Sequence, residues 1–424
     1  MSYKKQFASS IVLVLLIFSL ITFVGASSTM WSQTYGGASS DVAYAFIKTS
    51  DGGYAIAGGT ESFGAGGADF WLVKADSSGN MEWNQTYGGE NDDCANALIE
   101  SSDGGYVLAG GTDSFGAGLY DFWLIKTDAT GNMEWNQTYG GEEDDCAYTL
   151  IEASGGGYVL AGETSSVGAG EVDFWLIKVD SSGNMEWNQT YGGTAYENVY
   201  AIVEVSDGGY VLAGETETFS TLGYDCWLIK TDAAGNMEWN QTYSGESSTG
   251  GSAFVQTSDG GYALAGGAAS VDGADYDFWL VKTDANGTLL WTQTYGGESY
   301  DVAWSIAEAS DGGYLIAGGT SSFGAGVYDF WLVKTDETGN MDWNQTYGGE
   351  SYDVAWSIAE ASDGGYILVG ETSSFGAGDS DFWLVKTDEN GIIPEFPSWI
   401  LVPLFVTATM VAMLYKKKLK HTIT

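Results

Sequence analysis

Few of the residue types that usually carry out catalysis are present in this sequence of 424 residues. Its single histidine, His421, lies close to the C-terminus, and the chain contains no arginine. Without a histidine in the body of the chain, histidine-activated serine or cysteine nucleophiles and histidine metal sites cannot be built. The chain has 57 acidic residues against 14 lysines, which gives a formal net charge of −43 at pH 7. Since phosphate binding needs cationic side chains, this composition excludes nucleic acid as a partner.

Carboxylates are therefore the side chains most able to do chemistry, and one position in the sequence repeats them. The position follows Tyr-Gly-Gly or its equivalent by a few residues and holds Asp41, Asp93, Asp145, Glu197, Asp301 and Asp353. Thr249 occupies the seventh equivalent position. Oxygen-rich clusters outside the cell are typical calcium sites, so these six residues are candidate calcium ligands. No copy contains a contiguous calcium-loop motif, and a solvated acidic surface is the alternative interpretation.

Glycosylation is the second chemistry that the sequence indicates. Six asparagines lie in Asn-x-Thr acceptor sequences: Asn84, Asn136, Asn188, Asn240, Asn286 and Asn344. Alternation along a strand places Asn84 on the opposite face from Trp83, where a polar side chain is solvated. We therefore expect glycans on at least some of these sites.

Lysines recur as well, but their spacing indicates a structural role. Counting across the turn at residues 76–80 places Lys74 opposite Glu82, and the equivalent pairs are Lys126–Glu134, Lys178–Glu186, Lys230–Glu238 and Lys334–Asp342. We interpret these pairs as cross-strand ion pairs rather than as a ligand-binding ring. Asp69 and its equivalents up to Asp381 precede an apolar strand, which favours a turn or backbone-bonding role. The cysteines Cys94, Cys146 and Cys226 are odd in number and lack metal-binding spacing, which argues against a disulfide scaffold.

An internal repeat must position all of these residues. Tryptophans recur every 52 residues without insertion or deletion, at Trp31, Trp83, Trp135, Trp187, Trp239, Trp291 and Trp343. Within one copy, aromatic and β-branched runs separated by glycine and aspartate turns predict four strands, at about residues 42–49, 54–60, 70–75 and 81–87. Seven copies of four antiparallel strands predict an all-β fold, a seven-bladed β-propeller over residues 27–393.

The ends of the repeat array decide between a closed ring and an open β-solenoid. The chain begins with a lone fourth strand, at residues 30–35, and its last copy stops after a third strand, at residues 382–387. Pairing the two fragments completes the last blade and removes the exposed strand edges of an open stack. We therefore expect the N-terminal strand to close the ring.

The repeat contains Asp-x-x-Gly-x-x-x-Trp, as in Asp76, Gly79 and Trp83. This pattern resembles the tryptophan-docking repeat of quinoprotein dehydrogenase propellers, in which the motif locks blades together. The match is best at residues 128–131 and 336–339, where threonine precedes the glycine. A pyrroloquinoline cofactor carries carboxylates that need cationic clamps, so the missing arginine disfavours a quinoprotein-type dehydrogenase. The whole unit, over residues 31–391, also resembles a repeat common in secreted bacterial and archaeal surface proteins.

The two termini indicate export and anchoring. Residues 1–26 have the charged start, apolar core and small residues of a signal peptide. Residues 399–415 form an almost uncharged run followed by four lysines, which predicts a transmembrane helix with its basic tail in the cytoplasm. Pro394, Glu395 and Phe396 precede this run, and residues 394–424 resemble the PEF C-terminal sorting signal of archaeal surface proteins, which implies processing by an archaeosortase. A permanent membrane anchor is the alternative.

These observations favour a non-catalytic protein on the extracellular face of the cell membrane, for adhesion, scaffolding or binding of a surface glycan or protein. The alternative is a carbohydrate-active enzyme that uses paired carboxylates, for which acidic and aromatic residues are abundant. Copies that look alike argue against a single active site. Blade five deviates most, with Ser244, Thr249, Gly250 and Gly251 at its start.

Overall fold

A computed structural model describes residues 30–220, 223–245, 248–269 and 275–393. These residues form seven four-stranded antiparallel sheets, which are the blades of a β-propeller. The predicted fold class is therefore confirmed. No helix among the described residues is long and apolar enough to cross a membrane. The predicted signal peptide, sorting signal and membrane helix lie outside the described residues, and those predictions stay untested.

Each blade runs from an inner strand at the propeller axis to an outer fourth strand. The inner strands are Asp41–Lys48 (β2), Asp93–Glu100 (β6), Asp145–Glu152 (β10), Glu197–Glu204 (β14), Thr249–Gln256 (β18), Asp301–Glu308 (β22) and Asp353–Glu360 (β26). The second strands are Tyr54–Thr60 (β3), Tyr106–Thr112 (β7), Tyr158–Thr164 (β11), Tyr210–Thr216 (β15), Tyr262–Ala269 (β19), Tyr314–Thr320 (β23) and Tyr366–Thr372 (β27).

The outer two strands of each blade follow in the same order. The third strands are Asp69–Ala75 (β4), Asp121–Thr127 (β8), Asp173–Val179 (β12), Asp225–Thr231 (β16), Tyr276–Thr283 (β20), Asp329–Thr335 (β24) and Asp381–Lys386 (β28). The fourth strands are Trp31–Tyr35 (β1), Met81–Tyr87 (β5), Met133–Tyr139 (β9), Met185–Tyr191 (β13), Met237–Tyr243 (β17), Leu289–Tyr295 (β21) and Met341–Tyr347 (β25).

The ring closes as the sequence predicts. Strand β1 pairs with β28, in a register that runs from Trp31 opposite Lys386 to Tyr35 opposite Phe382. The last blade thus consists of β26, β27, β28 and the N-terminal strand. The inner and third strands of blade one begin one residue earlier than predicted, because Asp41 and Asp69 both pair with Thr60.

The core lies between neighbouring blades. Third strands such as β4 are buried along their whole length, since blades pack on both of their faces. Six of the seven interfaces stack a third-strand phenylalanine on the tryptophan of the adjacent blade, as Phe70 does on Trp123 with ring centroids 4.8 Å apart. In blade four Cys226 replaces this phenylalanine. Aromatic pairs of this kind add about 0.5–1.5 kcal/mol beyond the area they bury.

The tryptophan-docking motif joins one blade to the next. Gly79 adopts a φ of 77°, and a methyl group added there would lie 2.5 Å from the ring of Trp31. The hydroxyl of Tyr35 donates a 2.6 Å hydrogen bond to the Gly79 carbonyl, and the six equivalent tyrosines repeat this bond around the ring. The tryptophan therefore docks on the glycine of the following blade and not on the glycine of its own motif.

Candidate ligand-binding site

Two edges of the propeller differ in chemistry. Inner and third strands begin at one edge, which we call the mouth, and they end at the other, which we call the far edge. Each inner strand packs beside the inner strands of its two neighbours, so the seven strands surround the propeller axis. Side chains on these strands can therefore meet although they lie about one repeat apart in the sequence.

A β-bulge in every inner strand directs one side chain out of the regular ladder. In β2, Ala43 and Ala45 pair with successive residues of β3, so Tyr44 between them has no partner. The same break occurs in the other six blades. Bulges of this kind re-aim side chains and are frequent next to binding sites. We call the seven bulge residues the bulge ring: Tyr44, Asn96, Tyr148, Tyr200, Ser252, Trp304 and Trp356.

The bulge ring is rich in aromatic side chains that contact one another across blades. Trp304 and Trp356 have ring centroids 4.9 Å apart, and Tyr44 lies 5.6 Å from Trp356. On the other side of the ring, Tyr148 and Tyr200 are 5.9 Å apart. All five are half-buried, so part of each aromatic face is available to a ligand.

Three glutamates lie beside the bulge ring, at one position of the second strands. They are Glu163, Glu215 and Glu371, and the other four blades have glycine there. Tyr148 donates a 2.7 Å hydrogen bond to Oε1 of Glu163, and Tyr200 donates one of 2.9 Å to Oε1 of Glu215. Burial raises the pKa of all three carboxyl groups above the usual glutamate value.

Blade five makes room for one of these glutamates. A methyl group added to Gly250 would lie 2.7 Å from Oε2 of Glu215, and one added to Gly251 would lie 2.5 Å from the sulfur of Cys226. The deviations that the sequence shows at the start of blade five therefore accommodate two altered side chains of blade four.

Tyrosines continue the aromatic surface toward the mouth in blades five to seven. Tyr276 and Tyr300 have ring centroids 5.2 Å apart, while Tyr328 and Tyr352 stack at 5.2 Å with an interplanar angle of 13°. Tyr300 is 47% exposed and Tyr352 is 42% exposed. Glu371 pairs across the sheet with Val354, two residues beyond Tyr352. Burial, and then the charge of Glu371, raise the pKa of Tyr352.

The cations lie at the far edge. Seven lysines sit near the ends of third strands, and the predicted pairs of Lys74, Lys126, Lys178, Lys230 and Lys334 are observed at 2.8–4.0 Å. Six of the seven lysines also bind the aspartate of the Ser-Asp-Gly-Gly turn, as Lys74 binds Asp51 at 2.9 Å, which the sequence did not predict. Lys48 ends an inner strand at the same edge. Within the described residues, the mouth therefore has no lysine or arginine.

The six predicted calcium ligands occupy separate places between blades. All six are fully buried at the first residue of an inner strand. Asp41 accepts hydrogen bonds from the Gly37 amide at 2.8 Å and from the Thr60 hydroxyl. Each of the five aspartates among them faces an aspartate at the start of the third strand of the preceding blade, as Asp145 faces Asp121. No group of three or more His, Cys, Asp or Glu side chains in the described ranges could hold a metal ion, and calcium binding stays a prediction.

The aspartates at the start of the third strands bind backbone amides, as predicted. The amide of Ala65 donates a 2.6 Å hydrogen bond to Asp69, and the amide of Ala377 donates one of 2.7 Å to Asp381. The three cysteines are free thiols.

The six predicted glycosylation sites are exposed. Five of them have a structural role that the sequence did not reveal, since each accepts a hydrogen bond of 3.1–3.2 Å from the third-strand tryptophan of its own blade, as Asn84 does from Trp71. This bond uses the amide oxygen. The amide nitrogen, to which a glycan attaches, faces a methionine sulfur at the surface, at 3.3–3.4 Å.

Sequence reasoning missed the bulge ring and its glutamates. The likeness of the copies argues against a single site, yet the copies differ at these positions. The fourth residue of the inner strand is tyrosine, asparagine, serine or tryptophan, and the sixth residue of the second strand is glycine or glutamate. Neighbouring positions vary as well, so the signal that could have located the site is the aromatic and acidic character of these residues.

Comparisons with known proteins support the fold. No protein-family model matches the chain. The regulatory protein FlaEY of Caulobacter vibrioides is 23% identical over 370 residues, and the match covers 72% of this chain but only 39% of that protein. The chain thus spans well under half the length of this relative.

Two solved structures share the architecture. The WD40 domain of Neurospora crassa Pan2 has 12% identity and a TM-score of 0.52, over 82% of this chain and 89% of that domain. A polysaccharide lyase, an ulvan lyase bound to GlcA(1-4)Rha3S, has 11% identity and a TM-score of 0.53, over 87% of this chain and 99% of the lyase. At these identities the similarity concerns the fold alone.

Proposed function

We propose that this protein is a non-catalytic binding protein of the cell surface that holds a saccharide at the mouth of the propeller. The observation that carries the proposal is the cluster of aromatic and acidic side chains at the bulge ring. Tyrosines and tryptophans of neighbouring blades contact one another there, and two glutamates of the second strands accept hydrogen bonds from two of the tyrosines.

A saccharide fits this chemistry better than other ligand classes. Aromatic faces bury the apolar face of a sugar ring, while carboxylate and hydroxyl groups bond its hydroxyls. Tyr352, which stacks on Tyr328 and is 42% exposed, presents such an aromatic face, and Glu371 lies on the neighbouring strand of the same blade. Because the described mouth has acidic groups and no lysine, a polyanionic saccharide would be repelled. The ligand is therefore a neutral or cationic saccharide.

The binding test compares aromatic variants with a matched control. Replacing both Tyr352 and Trp356 by alanine should weaken binding of the best ligand from a glycan array by roughly 30-fold or more, since even one aromatic hot spot contributes about 2 kcal/mol or more. Titration calorimetry gives the Kd. Phe323→Ala is the control, because Phe323 is 41% exposed and packs on Trp331 away from the bulge ring. Equal loss in both variants, or no binding by the parent protein, would contradict the proposal.

The location of the protein is part of the proposal. Export through the signal peptide at residues 1–26, tethering through residues 394–424 and processing at Pro394–Phe396 would place the propeller outside the membrane. Protein purified from native cells should lack residues 1–26. It should also lack the tail beyond Phe396 if an archaeosortase acts. Some of the six acceptor asparagines should carry glycans. Intact-mass and glycopeptide spectrometry measure all three. Peptides that contain His421 would instead indicate a permanent anchor, and unmodified peptides at every acceptor asparagine would refute the glycans.

A carbohydrate-active enzyme is the second candidate, and one observation favours it. Glu163 and Glu215 lie in adjacent blades, and burial raises the pKa of both carboxyl groups, as catalytic proton donors require. Prolonged incubation of the protein with its glycan ligand tests this candidate. New reducing or unsaturated ends that disappear in the Glu163→Gln variant would favour the enzyme over the binding protein. The quinoprotein alternative gains no such support, because the lysines that could clamp its cofactor are paired at the far edge.

A further inference from the structure

The bulge ring is uneven, and its most acidic part lies in blades three and four. Tyr148 and Glu163 of blade three adjoin Tyr200 and Glu215 of blade four. We propose that these four side chains form a subsite for a protonated amine, so that the saccharide ligand is an amino sugar polymer with free ammonium groups. This inference rests on the proposed function and specifies its ligand.

Uncompensated charge is the first argument for an ammonium group. Glu163 and Glu215 occupy the same position in neighbouring blades, and the two tyrosines that bond them have ring centroids 5.9 Å apart. Burial, and then the charges of Asp144, Glu215 and Asp145, raise the pKa of Glu163 against the opposing bond from Tyr148. Like charges that are held together away from water favour either a bound proton or a bound cation. The lysines of the described chain cannot supply that cation, since they lie at the far edge.

Both carboxylates can accept further hydrogen bonds beyond those that the neighbouring side chains donate. Oε1 of Glu163 accepts from Tyr148, and Oε1 of Glu215 accepts from Tyr200 and, at 3.2 Å, from Asn198. These donors hold the side chains in place. The second oxygen of each carboxylate has no hydrogen bond from the described residues and can accept one from a ligand. An ammonium group has three N–H donors and no acceptor, which suits a site made of acceptors.

The aromatic rings distinguish an organic cation from a metal ion. Tyr148 and Tyr200 place their rings 5.9 Å apart beside the two carboxylates. Aromatic faces attract ammonium groups through their quadrupole, with about 2 kcal/mol available when the cation is desolvated. Calcium instead needs six to eight oxygen ligands, and the described residues contain no such cluster of acidic side chains. The subsite therefore fits an ammonium group better than calcium.

The test uses three oligosaccharides of equal length and linkage that differ in one substituent. Oligomers of glucosamine, N-acetylglucosamine and glucose carry an ammonium, an acetamido and a hydroxyl group at the same carbon. We expect the glucosamine oligomer to bind at least about tenfold more tightly than the other two, since hydrogen bonds to charged groups contribute about 1.5–3 kcal/mol each. The measurement is the Kd by calorimetry on the whole folded ectodomain.

Two double variants distinguish binding at this subsite from nonspecific attraction to an acidic surface. Glu163→Gln with Glu215→Gln keeps an oxygen that can accept from each tyrosine but removes both charges. This variant should bind the glucosamine oligomer no better than the N-acetylated oligomer or the glucose oligomer. The control is Glu152→Gln with Glu204→Gln, which removes the same charge from the same two blades at the far edge, where these residues bond Ser102 and Ser154.

Each outcome decides one point. The glucosamine and glucose oligomers could bind with equal affinity, and the variant that lacks Tyr352 and Trp356 could bind neither. That result would overturn the amine subsite and leave the saccharide proposal standing. Equal weakening by the two glutamine double variants would also overturn the subsite, because the attraction would then be nonspecific. If none of the three oligomers bound and no glycan on the array did, the proposed function would fall as well.

Discussion

Removal of residues 30–37 is expected to lower the melting temperature by at least about 10 °C. These residues contain β1, which supplies the outer strand of the last blade and covers β28, a strand that is buried throughout. Its loss also removes the contact of Trp31 with Gly79 and the hydrogen bond from Tyr35. Truncating one buried aromatic side chain costs about 3–5 kcal/mol, and two such losses in one strand produce a shift of this size.

Rescue in trans provides the control for this experiment. A synthetic peptide of residues 30–37 should restore part of the lost stability in proportion to its concentration, because a ligand that binds only the folded state raises the free energy of unfolding. A scrambled peptide should restore none. A truncated protein that melts at the temperature of the untruncated propeller would show that the N-terminal strand does not close the ring.

Replacing Asp69, Asp121 and Asp277 by asparagine is expected to raise the melting temperature at neutral pH by about 2–6 °C. Asp69 and Asp121 are buried and Asp277 is half-buried, and each faces the aspartate that starts the next inner strand. A methyl group at Gly140 would lie 1.7 Å from Oδ1 of Asp121 and 2.8 Å from Oδ2 of Asp145. Asparagine removes the repulsion and offers an N–H donor. A new hydrogen bond contributes about 0.5–1.5 kcal/mol at each of the three interfaces.

The pH dependence follows from the same pairs. Burial, and then the neighbouring aspartate, raise the pKa of Asp69, Asp121 and Asp277 above the usual 3.8. The folded protein therefore binds more protons than the unfolded chain, so the free energy of unfolding falls as the pH rises from about 4 toward neutral. The asparagine variant should lack much of this fall. Below about pH 4 the free energy of unfolding instead falls as the pH falls. Turn carboxylates with lowered pKa values, such as Asp336 at about 2, then gain protons and lose their hydrogen bonds.

The matched control removes the same charge from the same three interfaces. Glu90, Glu142 and Glu298 lie in the exposed loops next to the three pairs, and their replacement by glutamine should change the melting temperature little.

Calcium is the other means of relieving the repulsion between the paired aspartates. If it binds at these pairs, millimolar calcium should stabilise the parent protein, relative to sodium at matched ionic strength, and should not stabilise the asparagine variant. Destabilisation of that variant at neutral pH would contradict our account of the pairs.

The sequence by itself determined the architecture. A strict 52-residue period, four alternating strands in each copy, and the split between residues 30–35 and 382–387 predicted seven blades and their closure. These features are local or periodic, because strand alternation, turn residues and repeat length all show within one copy. The ion pair of Lys74 with Glu82 was predictable for the same reason, since a short turn sets its register.

Only the tertiary structure decided where the functional groups meet. The bulge at Tyr44 breaks the two-residue alternation, so the sequence pattern could not show that this side chain leaves the ladder. Tyr148 and Tyr200 are one repeat apart and touch only because neighbouring inner strands share an axis. The candidate calcium ligands at the start of the inner strands face the adjacent blades, because burial and bonds such as that from Gly37 to Asp41 fix each carboxylate at its own interface. Contacts between blades depend on how sheets pack, which no single copy of the repeat contains.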